Sequence, residues 1–158
     1  MSVYGERAKA LFLEGYNCAQ AVFAAFAPEL GLDRETALKI SSSFGGGMGR
    51  MREVCGAVSG MLMVAGMTDG SADPKDREAK AAHYALVRSL AGGFREENGS
   101  IVCRELLGLS APEQSAVPDA RTPAYYKKRP CLELVVDAAE RAAALLAENK
   151  RQAGNAPQ

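Results

Sequence analysis

The chain has 158 residues, enough for a single domain that buries its own core. Its 19 Lys and Arg are matched by 19 Asp and Glu. A duplex nucleic-acid binder would carry a basic surplus to displace counterions, so no nucleic acid is expected as a partner. No basic stretch leading into an apolar run opens the chain, and the longest mainly apolar run, residues 54–67, is too short to span a bilayer. A soluble, cytoplasmic protein without a membrane partner is the expectation.

The apolar pattern is helical almost throughout, and Val and Ile never alternate as they would in a strand, so an all-α fold of about six or seven helices is expected. The first helix should cover Tyr4 to Glu14, with Ala8, Leu11 and Phe12 on one side and Gly15 stopping it. Asn17 with Gln20 three residues on has the form of a capping box and opens a helix to about Phe26. Asp33 caps a third helix with Ala37, Leu38 and Ile40 facing inward.

Next comes "SFGGGMGRMREVCGAVSG", residues 43–60, with Gly45, Gly46, Gly47 and Gly49 in five positions. The lysine and Ser/Thr of a phosphate-binding P-loop are missing, as is the third glycine of a dinucleotide fingerprint. Such a loop can instead supply a nest of backbone N–H groups around an anionic centre such as a thiolate, and is expected to bring backbone close to Cys55. A helix of small residues follows over about 54–66, with Gly56 and Gly60 one turn apart for a close approach.

Asp73–Pro74 reads as a helix start, an N-cap followed by proline. In that helix Ala79, Ala82, His83, Leu86, Val87 and Leu90 recur at helical spacing, and His83 reads as a hydrogen-bonded core residue rather than a ligand. Met61, Met63 and Met67 read as core filling. Ser100 should cap a helix to Leu107 that ends at Gly108. Residues 109–129 carry Pro112, Pro118 and Pro123 without a period and read as a long loop, in which Tyr125 and Tyr126 either close over Cys131 or pin the loop down. Pro130 opens the last helix, and residues 149–158 are expected to be a disordered tail to a single domain over 1–148.

The four cysteines, Cys18, Cys55, Cys103 and Cys131, form no CxxC pair. Each falls in the first turn of an expected helix, where unpaired N–H groups and the helix dipole favour a thiolate. Basic neighbours add to this: Arg50 and Arg52 before Cys55, Arg104 after Cys103, and Lys127, Lys128 and Arg129 before Cys131. One cysteine so placed reads as a small buried hydrophobe; four together favour a site.

The segment Cys55-Gly56-Ala57-Val58-Ser59-Gly60, with one cysteine before it and two single cysteines after it, resembles the redox-active family named for its pattern, C-GCAxxG-C-C. The label writes glycine before cysteine, where this chain reads CGAVSG. "GYNCAQAV" and "FGGGMG" are similar to the family's flanking segments, and the likeness runs from about Leu11 to Ala139. It implies a small helical protein with redox function through Cys18, Cys55, Cys103 and Cys131.

Three functions compete. The first is a redox centre, either an iron–sulfur cluster on four thiolates or a reversible disulfide with a second cysteine pair to resolve it. The second is a non-catalytic zinc or soft-metal module on the same four sulfurs, and the third a helical interaction protein with incidental thiols. In the first two, Cys18, Cys55, Cys103 and Cys131 carry the chemistry, backed by Gly45, Gly46, Gly47, Gly49 and Gly56. The redox partner is unknown, and a homodimer is compatible with the sequence.

Overall fold

The computed structural model describes residues 1–157. The described residues are all-α, with α1 (Val3–Glu14), α2 (Cys18–Ala25), α3 (Arg34–Ser41), a 3-10 turn (Ser42–Phe44), a four-residue turn α4 (Gly45–Met48), α5 (Gly56–Asp69), α6 (Arg77–Asn98), α7 (Cys103–Leu106), α8 (Pro123–Lys128) and α9 (Cys131–Gly154). The caps explain the first three. Ser2 Oγ accepts from Gly5 N–H at 3.1 Å, and Gly15 ends α1 with φ +109°. Asn17 and Gln20 form the expected capping box, at 2.9 and 3.1 Å. Asp33 accepts from Thr36 N–H at 2.9 Å.

Helix α2 is the hub, packed by α1, α3, α5 and α9. Small residues make this packing close. A Cβ on Gly60 would stand 2.8 Å from the Ala19 carbonyl, so only glycine lets α5 lie this near α2. Phe12, Val22, Phe23, Phe26, Val58, Met61 and Val135 fill the core around it. Burying such a side chain is worth about 1.5–3 kcal/mol.

Several element boundaries differ from the sequence reading. In α3, Ala37 and Ser41 are buried while Ile40 is 49% exposed, because Ser41 Oγ satisfies itself by donating to the Ala37 carbonyl at 2.8 Å. Helix α5 starts at Gly56 rather than residue 54, since Val54 is drawn into an antiparallel bridge with Val102. Asp73–Pro74 makes a turn, with Asp73 Oδ1 accepting from Lys75 N–H, and Asp76 is the true cap of α6. Ser100 holds a similar turn by accepting from Val102 N–H, so α7 begins at Cys103.

Within the long loop, Thr122 caps the short helix α8, with Pro123 at its start. Helix α9 runs to Gly154, its last turns tied by Arg151 and Gln152 to Glu148 and by Asn149 to Asp69. Helix α6 is lightly embedded for its length: Phe94 is its one buried residue, Ala82 is exposed, and the other expected inward residues, Ala79, His83, Leu86, Val87 and Leu90, are half-buried. His83 Nδ1 is buried without a hydrogen-bond partner among the described residues, against the expectation of a satisfied histidine. Met61 fills the core and Met63 packs against it, whereas Met67 is exposed. Among the described residues no helix is long and apolar enough to cross a membrane.

Candidate functional site: a four-cysteine cavity

Cys18, Cys103 and Cys131 are the first residues of α2, α7 and α9, and Cys55 is the N-cap of α5. All four are free thiols, and all four line one cavity of about 60 Å³. Cys55 and Cys103 are buried; Cys18 and Cys131 are half-buried.

Local pairing brings two of them together. Around the Val54–Val102 bridge, Cys55 N–H donates to the Ile101 carbonyl at 2.8 Å and Cys103 N–H to the Glu53 carbonyl at 2.6 Å. The other two come from the packing of α2 and α9. Two glycines make room. A Cβ on Gly56 would strike the Cys18 sulfur and stand 2.8 Å from the Phe44 carbonyl. A Cβ on Gly47 would stand 2.7 Å from Cys103 Cβ, and Gly47 has φ +67°, a conformation that costs other residues about 1–2 kcal/mol.

The glycine loop is therefore shaped around Cys103 rather than Cys55. Its backbone is left-handed from Gly46 through Arg50 and again at Arg52, with φ +61° to +69° at Met48, Arg50 and Arg52. It does not form the expected nest. The amides of Gly49, Arg50, Arg52 and Glu53 donate to carbonyls of the loop's own residues 43–47. Gly46 and Gly56 line the cavity itself, while Gly45, Gly46 and Gly49 line a second hollow of about 230 Å³ beside it.

The electrostatics also differ from the sequence reading. Burial pushes the Cys131 thiol up to about 12, and the nearby Cys18 sulfur raises it further. Burial and then Cys18 likewise push Cys55 up. Cys103 is raised by burial, against the pull of Arg52 and Arg129. Desolvation outweighs the helix starts, so these three thiols are protonated near neutral pH. Cys18 is close enough to Cys55, Cys103 and Cys131 to oppose the ionisation of each.

Sequence reasoning put Arg52 beside Cys55; the fold turns it to Cys103, with Nη1 3.7 Å from that sulfur. Arg52 is only 3% exposed. Arg121, from the long loop, was missed. It donates to the carbonyls of Phe12 and Tyr16 and lies 4.5 Å from the Phe12 ring centre and 4.8 Å from that of Tyr125. Tyr125 forms part of the cavity wall, and Tyr126 anchors the loop by packing edge-on against Phe12. The lining holds Arg52, Arg121 and Arg129 but, among the described residues, no carboxylate. Nothing in the sequence pairs a loop arginine with a distant helix start, so no signal could have found Arg121.

The fold is an all-α domain with four cysteines lining one cavity, and comparison with known families points to the same four-cysteine class. The chain matches, over residues 16–145, the C_GCAxxG_C_C family, described as "Putative redox-active protein". The chain belongs to that family. It matches no curated protein and no solved structure.

Proposed function

We propose that the protein is a thiol redox carrier in which Cys18 and Cys55 pass between dithiol and disulfide, with Cys103 and Cys131 as the second pair. The carrying observation is the convergence of four free thiols on one cavity, with the Cys18 sulfur against Gly56, the neighbour of Cys55. Oxidation turns two thiols into one S–S bond and releases two protons and two electrons. The cavity is only about 60 Å³, room for a few water molecules, which favours a small-molecule electron partner at the sulfurs over a protein disulfide. Thiols kept protonated by burial are slow nucleophiles, which suits a carrier that resists stray exchange in a reducing compartment such as the cytoplasm.

Iron–sulfur or zinc ligation uses the same sulfurs. Among the described residues, however, no three of Cys, His, Asp or Glu stand where one metal ion would bind them. The test is mild oxidation of the reduced chain followed by intact-mass and peptide mapping. The reading expects a loss of two hydrogens and a Cys18–Cys55 link, abolished by Cys18→Ser. Oxidation that leaves Cys18 and Cys55 as thiols would overturn it, and visible sulfur-to-iron absorption in protein purified without oxygen would favour the cluster.

A further inference from the structure

Arg52 is a buried cation whose only nearby carboxylate among the described residues, Glu113, stands too far to accept a hydrogen bond. Arg52 is only 3% exposed, and its Nη1 is spent on Cys103. Nε and Nη2 are both buried and, among the described residues, have no hydrogen-bond partner. The nearest carboxylate, Glu113, lies 3.8 Å from Nη2, beyond hydrogen-bond reach, and is itself bonded to Arg50 at 3.2 Å. Leaving donors of a buried charged group unmade is costly, and native structures rarely do so without a ligand.

The two free atoms are not a random pair. In a guanidinium, Nε–H and the adjacent Nη2–H run parallel and form the side-on fork that grips two oxygens of a carboxylate or other oxyanion. Two more arginines, Arg121 and Arg129, line the same cavity without an opposing carboxylate in the lining. Arg129 is paired with Asp119 on the outer side, whereas Arg121 is met only by backbone carbonyls and aromatic rings. The thiols, held protonated, bring no compensating charge. The wider hollow of about 230 Å³ shares Arg52, Arg121, Arg129 and Tyr125 with the inner cavity and lies directly beside it.

We infer that the cavity is a binding site for one small oxyanion, held by the Nε/Nη2 fork of Arg52, with Arg121 and Arg129 in the same lining. The inner cavity is of small-ion size and excludes a nucleotide or a peptide. The assignment rests on the thiol-redox reading only for the relevance of the ligand, since the site would hold the anion whether or not the sulfurs cycle.

The experiment is calorimetric titration of the fully reduced full chain with inorganic phosphate, at ionic strength held constant with chloride. Phosphate does not oxidise thiols, so binding is read apart from redox chemistry. One saturable site is expected, at least tenfold weaker in Arg52→Met and weakened also in Arg52→Lys because the fork is lost while the charge stays. In parallel, the Arg52 Nε–H resonance should shift on adding phosphate, which keeps the test available if Arg52→Met does not fold. Absence of saturable binding of phosphate and of sulfate, or equal binding by Arg52→Met, overturns the site. Failure to form the Cys18–Cys55 link while phosphate still binds overturns the redox reading instead.

Discussion

Replacing Gly47 by alanine separates the two demands that the glycine loop meets. The backbone there has φ +67°, which alanine adopts at a cost of about 1–2 kcal/mol. The new methyl would stand 2.7 Å from Cys103 Cβ, 2.7 Å from Glu53 N and 2.8 Å from Arg52 Cα. None of these is the free end of a flexible chain, and forcing a methyl into such packing costs about 1–3 kcal/mol more. Gly49 is the control: its φ is +57°, but no heavy atom lies within 4 Å of an added methyl, so Gly49→Ala incurs only the first cost. In urea unfolding with an m-value near ~2 kcal/mol/M, Gly47→Ala should lower the midpoint by about 1–2.5 M and Gly49→Ala by about 0.5–1 M. Native-state alkylation followed by peptide mapping should also show Cys103 more reactive in Gly47→Ala alone. If the two variants lose equal stability and label alike, the loop is not shaped around Cys103.

Four further outcomes are expected. Asn17→Ala removes the side-chain half of the capping box and the bond from Asn17 Nδ2 to the Ser42 carbonyl, and should cost about 1–2 kcal/mol by thermal unfolding, while loosening Cys18 at the next residue. Gly56→Ala drives a methyl against the Cys18 sulfur and the Phe44 carbonyl, and should abolish the Cys18–Cys55 link even where the chain still folds, as read by intact mass after oxidation. Arg50 ties the long loop through Ser115, Glu113 and Asp119; its replacement by alanine should speed alkylation of Cys131 severalfold with under about 1 kcal/mol lost, measured at one urea concentration series.

The fourth concerns pH. Cys131 is raised from 9.0 to about 12 in the folded chain, so its contribution to stability is full below about pH 9 and is lost as pH rises toward 12. The slope from this one thiol approaches ~1.4 kcal/mol per pH unit. Unfolding free energies of the reduced protein between pH 8 and 11 should therefore fall more steeply for the wild type than for Cys131→Ala, and equal slopes would refute the burial argument.

How much of this was legible follows from the range of each interaction. The caps at Asn17, which places Cys18, and at Asp33 are local, set by a side chain reaching a backbone N–H three residues away, as are the left-handed stop at Gly15 and the proline that opens α9 just before Cys131. Residue order alone carries such contacts, and it carried the family pattern through Cys55-Gly56-Ala57-Val58-Ser59-Gly60. What the tertiary structure decided is where those helix starts point. The Val54–Val102 bridge moved the start of α5, turned Arg52 from Cys55 to Cys103 and joined segments some fifty residues apart. Burial then reversed the expected acidity, because desolvation depends on everything packed around a sulfur and not on its neighbours in the chain. Residue order placed each cysteine near a helix start; only the Val54–Val102 bridge and the packing of α2, α5 and α9 made those four starts into one site.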